Sequence, residues 1–210
     1  MKVLFKDKIK SYLITVALGM LAGFSVVFFC EFPNNDLWAF SYWSSETFGF
    51  WMFSTSLVVL FSEKRKCAAI NAGVYIFIMF FITTVYKSLR LFWNGYTPFV
   101  SIAEVTVNSI SGWLLYSIPA ALVCAVLGLV LWSGRSNTLW GKILKILPAV
   151  FIFIETLSLF FMVFTQQTKL FSALTDLACL VGYVCIYYTS MRTIENLNEK
   201  GKDNNETNKA

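Results

Sequence analysis

Two apolar runs, Phe48–Ser62 and Cys67–Tyr86, flank the charged knot Glu63-Lys64-Arg65-Lys66. No other feature restricts the fold so strongly. A helix needs about 20 apolar residues to cross a hydrocarbon layer ~30 Å thick. The second run meets that length and the first approaches it. A link this short leaves the two helices side by side as a hairpin. Basic links are retained on the cytoplasmic side. The stretch therefore predicts a helical hairpin turned toward the cytoplasm, and the rest of the topology follows from it.

Four more apolar stretches occur, so six spans are predicted, at about 11–30, 47–62, 67–86, 112–132, 146–165 and 170–191. Charged residues make up only 14% of the chain and apolar residues 57%, whereas a soluble domain carries about a quarter charged residues. Such a chain cannot coat a globule with polar groups, and lipid removes the need to. A β-barrel would require strands alternating apolar and polar over about ten residues, and these runs are continuous. The expected fold is all-α: a polytopic transmembrane helix bundle in one domain, 1–191. Residues 192–210 are too poor in apolar side chains to pack and predict a disordered tail.

Charge placement orients the bundle. With both termini cytoplasmic, only Lys87, Arg90 and Lys169 of the 17 basic residues face outward, as the inside-positive rule requires. The expected location is a bacterial plasma membrane, crossed several times. The first span is read as uncleaved, because no small-x-small site follows it and Phe29 precedes Cys30. The outer loop Glu31–Glu46 lacks Lys and Arg and holds Trp38 and Trp43 for the headgroup zone. Residues 99–111 carry Glu104 and Asn108 one turn apart. They fit either an interfacial helix or the outer end of span four. Pro119 should kink span four, Pro148 is placed in the first turn of span five, and 133–145 reads as a basic loop.

Intramembrane carboxyls are the chemical candidates. Glu155 lies in the middle of span five, where an ionised carboxylate costs at least ~2.5 kcal/mol. It is either a proton or cation relay or substrate anchor, or a hydrogen-bonded lock between helices. Asp176 lies about two turns below the outer end of span six. Lys87 and Arg90 enter from the same side, and with Asp176, Glu46 and Glu104 they could line an outward-facing polar pocket. Their donors suit an anionic small molecule or a lipid phosphate. Ion pairing and snorkelling are the structural alternative. Gly19 and Gly23 form a GxxxG pair in the first span, for internal packing or for docking a membrane-protein partner or second copy.

Several chemistries lack their residues. The chain has no histidine, and its five cysteines form no CxxC pair, which argues against zinc sites and disulfide scaffolds. No Walker motif occurs, and the basic residues flank spans rather than form a nucleic-acid footprint. No metal or cofactor is expected.

Gly19-x-x-x-Gly23, the Trp-rich outer loop, Phe48-Gly49-x-Trp51, the basic turn followed by Ala68-Ala69, and the glutamate of the fifth span come in a telling order. It resembles that of a group of small, uncharacterised bacterial six-helix membrane proteins. By architecture the chain also looks like the substrate-binding subunits of energy-coupling-factor vitamin transporters. The resemblance carries no function with it; the polar residues near the outer ends of the spans point to a non-enzymatic small-solute binding or transport subunit with an outward-facing polar pocket. The alternative is a structural or regulatory subunit docked on a larger membrane complex.

Overall fold

The computed structural model describes residues 4–32, 35–40, 48–95, 101–136 and 138–207, and of 188 and 190–207 the backbone alone. Glu46, Trp43 and Pro98 lie outside the described residues. Six α-helices account for nearly all of it: α1 (Ile9–Cys30), α2 (Phe48–Leu60), α3 (Arg65–Trp93), α4 (Ile102–Trp132), α5 (Leu139–Gln166) and α6 (Leu170–Thr207). No strand occurs among the described residues; Phe5 and Ser62 form an isolated bridge. All helices except α2 include a segment long and apolar enough to cross a membrane. Large apolar side chains line the outside, among them Leu115, Leu122, Phe161 and Phe164, as a lipid-facing surface demands.

The stretch 47–62 departs most from expectation. Its helix, α2, has 13 residues, about 20 Å at 1.5 Å per residue, too short to cross ~30 Å. It ends at Leu60 because the following residues pair elsewhere: the Phe5 amide donates to Phe61 O (3.1 Å) and the Glu63 amide to Phe5 O (2.8 Å).

The ambiguous stretch 99–111 is the outer end of α4. The helix starts at Ile102 because Ser101 caps it, its hydroxyl accepting from the Glu104 amide at 3.3 Å. Ser-x-x-Glu is the sequence form of such a cap, and an acid in the first turn suits the helix dipole. Helix α4 continues through Pro119. The basic loop expected at 133–145 is shorter than composition suggests. A 3-10 turn, Ser133–Arg135, leads to Thr138, whose hydroxyl accepts from the Gly141 amide, and α5 begins at Leu139. Pro148 therefore lies inside α5 and not in its first turn. The backbone of α6 stays helical to Thr207, through residues where composition predicts disorder, and Leu170–Tyr187 within it is long and apolar enough to cross a membrane.

Small residues set the packing. Helix α3 lies between α1 and α4 and packs extensively on both. Gly19 and Gly23 of α1 sit against α3: a methyl on Gly19 would come 2.8 Å from Tyr75 O, and one on Gly23 would come 2.7 Å from the Ile82 Cβ. On the other side Gly128 of α4 fits against Ala68 and Ala72. With lipid outside, there is no hydrophobic drive between helices, so close backbone approach and interhelical hydrogen bonds do the holding. The main polar tie is fully buried Asn71, which accepts from the Thr15 hydroxyl at 3.0 Å and donates to Ser62 Oγ at 3.3 Å. Helices α5 and α6 form a second pair, and α2 stands between the two groups, touching α3, α4, α5 and α6.

Candidate functional site

The N-terminus of α2 meets two carboxyl groups. Glu155 of α5 accepts a hydrogen bond from the Phe48 amide at 2.8 Å. Asp176 of α6 is fully buried, and it faces the Glu155 carboxyl and the amides of Gly49 and Phe50. It comes so near that a methyl on Gly49 would lie 2.5 Å from both of its oxygens. Glycine is thus required at 49 by the carboxylate. At 1.5 Å per residue, Asp176 lies ~9 Å along α6 from Leu170, and Glu155 ~17 Å back along α5 from Gln166. Both carboxyls therefore lie within the long apolar segments of α5 and α6.

Its electrostatics are one-sided. Among the described residues the ion pairs are Lys64–Asp7 (3.0 Å) and Arg90–Glu31 (3.2 Å); neither involves this pair. Neither Asp176 oxygen has a well-formed hydrogen bond. The positive end of α2, about half a charge, is the compensation on hand. Two adjacent carboxyls in such a place can hold one proton between them. The same half-charge cannot neutralise a second full negative charge.

Below the pair, a cavity of about 450 Å³ opens between α2, α3, α4 and α5. Phe48, Trp51, Phe80, Pro119, Leu127 and Phe151 form much of its wall, and Glu155 is part of the lining. Three more lining residues on α2 carry polar atoms without partners: Trp51 Nε1, Thr55 Oγ1 and Ser56 Oγ. This is not the usual state of a helical hydroxyl, which bonds back to the preceding turn. Ser54 does so to Phe50 O (2.8 Å) and Thr156 to Ile152 O (2.7 Å). On the opposite side of α2, between α1 and α6, two adjoining apolar hollows of about 530 and 560 Å³ share Phe50, Phe53, Phe171 and Thr175 and contain neither carboxyl.

The residues singled out in the sequence separate into distinct places. Glu155 and Asp176 come together. Arg90 belongs to another cluster, at the end of α1: it pairs with Glu31, donates to Cys30 O at 3.2 Å, and Tyr86 donates its hydroxyl hydrogen to the same Glu31 carboxylate. Lys87 lies exposed on α3. Glu104 sits in the capped first turn of α4. Gly19 and Gly23 are occupied by α3, so that stripe is not free to dock a partner. Sequence reasoning did not find the roles of Gly49, Glu31 and Asn71. Gly49 alone had a signal, as a glycine opening an apolar run.

The chain matches no known protein family, no curated protein and no solved structure. Its five long apolar helices define the class, that of a multi-pass membrane protein.

Proposed function

We propose that the chain is a non-enzymatic subunit that binds or transports a small solute in a bacterial plasma membrane. In this reading it crosses six times with both termini in the cytoplasm. The stretch 47–62 is counted as the sixth crossing, which is supported by the distribution of basic residues across the links. The carrying observation is the Glu155–Asp176 pair at the head of α2, beside a cavity with unpaired polar atoms. Ionisable groups inside a membrane mark solute or proton pathways, and cavities of 300–1,000 Å³ are the size that holds small molecules. The site lies toward the ends of α5 and α6 that this topology places outside. It thereby keeps the outward sense of the expected pocket but not its basic members, since Arg90 is engaged by Glu31.

The test is native mass spectrometry on protein extracted gently from its own membrane. Wild type should carry a small adduct that Glu155→Gln loses. A spectrum of bare protein, or of a heteromeric complex alone, would refute the reading.

A further inference from the structure

The cavity has a charge character that narrows its ligand. Its walls are apolar and rich in aromatic rings, and its one acidic member is Glu155, half-buried at the end nearest α2's first turn. One Glu155 oxygen accepts from Phe48; Asp176 lies directly behind, fully buried, with neither oxygen hydrogen-bonded. No basic side chain pairs with either acid among the described residues. An anionic ligand would therefore meet two acids in a low-dielectric site with nothing but a helix end to offset them. A neutral apolar ligand would leave the Glu155 carboxyl, the cavity's one charged member, unanswered. A cation answers the carboxylate, and the aromatic side chains of Phe48, Trp51 and Phe80 line the same cavity. Helices α4 and α5 scarcely touch each other, so the cavity opens sideways toward lipid. That route suits a molecule that partitions into the bilayer.

We infer that the cavity between α2, α3, α4 and α5 binds lipophilic organic monocations, with Glu155 as their counter-charge. This rests on the small-molecule reading above and deepens it by naming the ligand class. It also reverses the sign of ligand charge that Lys87 and Arg90 suggested.

Tetraphenylphosphonium and tetraphenylborate are the probes, being alike in size and shape and opposite in charge. Equilibrium binding is measured on purified protein in neutral-lipid nanodiscs. The phosphonium should bind saturably and at least about tenfold more tightly than the borate, and Glu155→Gln should weaken it about ten- to a hundredfold, as loss of a charged contact implies. Val123→Trp narrows the cavity from an exposed position on α4, a helix that carries neither acid of the pair. It should abolish phosphonium binding in a protein whose melting is unchanged, which keeps the test valid if Glu155→Gln folds poorly. Equal binding of both ions, or phosphonium binding indifferent to both substitutions, overturns the inference and leaves a cavity without charge selectivity. Binding of neither ion also overturns it. In that case a small adduct in the native mass spectrum preserves the broader reading, and its absence removes both.

Discussion

Replacing Gly49 by alanine tests the geometry of the α2 head directly. On helix propensity alone the change should stabilise α2, by up to about 1 kcal/mol. The structure predicts the opposite. The new methyl would sit 2.5 Å from both Asp176 oxygens, closer than any real methyl contact, and Asp176 is fully buried with α2 and α5 around it. Overpacking of this kind typically costs 1–3 kcal/mol. Net destabilisation of about 1–2 kcal/mol follows. The assay is reversible unfolding in mixed micelles followed by tryptophan fluorescence, run as a double-mutant cycle with Asp176→Ala. The carboxylate is the clashing group, so Gly49→Ala should be nearly neutral once Asp176 is alanine, with a coupling of at least about 1 kcal/mol. A Gly49→Ala protein as stable as wild type, or a cycle with no coupling, would refute the reasoning.

Three more predictions follow from other parts of the bundle. Gly23→Leu should prevent α1 from seating on α3, since even its Cβ would come 2.7 Å from the Ile82 Cβ; crosslinking between cysteines placed on the two helices should disappear, and its persistence would show that α1 docks elsewhere. Asn71→Ala removes the bonds to Thr15 and Ser62 and should lower stability by about 1–2 kcal/mol, the range for hydrogen bonds between membrane helices, measured by the same unfolding assay. The N-terminal arm should be held in a bounded pH range. The hydrogen bond from Lys64, aided by one from Tyr12, keeps the Asp7 carboxyl below its ordinary 3.8, so its contribution is complete above that value and lost as pH falls through the lowered one. Asp7 in turn raises Lys64 above 10.5, so that contribution is complete below 10.5 and lost as pH climbs past it. Proteolysis at the arm should be flat between these limits and rise outside them, and Asp7→Asn should remove the acidic limb; a slope near neutral pH would contradict the pairing.

Local chemistry made much of this protein readable from its residues. Continuous apolar runs flanked by Lys and Arg specify membrane helices, because each backbone group in lipid must be satisfied within its own segment. Ser101 and Glu104 carry the start of α4 in their spacing, although the same glutamate was also a candidate for a ligand site. Gly19 and Gly23 announced a close helix contact, but only packing could say that its partner is α3 of the same chain. Glu155 stood out because a lone acid in an apolar helix demands compensation.

What compensates it was not legible. Phe48 and Glu155 are 107 residues apart, and Asp176 lies on a third helix. Their meeting depends on the relative depth and rotation of α2, α5 and α6, which no periodicity within one helix encodes. The length of α2 was hidden for the same reason. Residues 61–63 are polar and apolar in a mixture that could extend a helix, and it is their pairing with Phe5 that ends it. The sequence by itself determined which segments are apolar enough to favour lipid, since that is a transfer free energy summed over neighbours in the chain. Tertiary structure decided which carboxyls share a site and which glycine makes room for them, since those depend on contacts between helices distant along it.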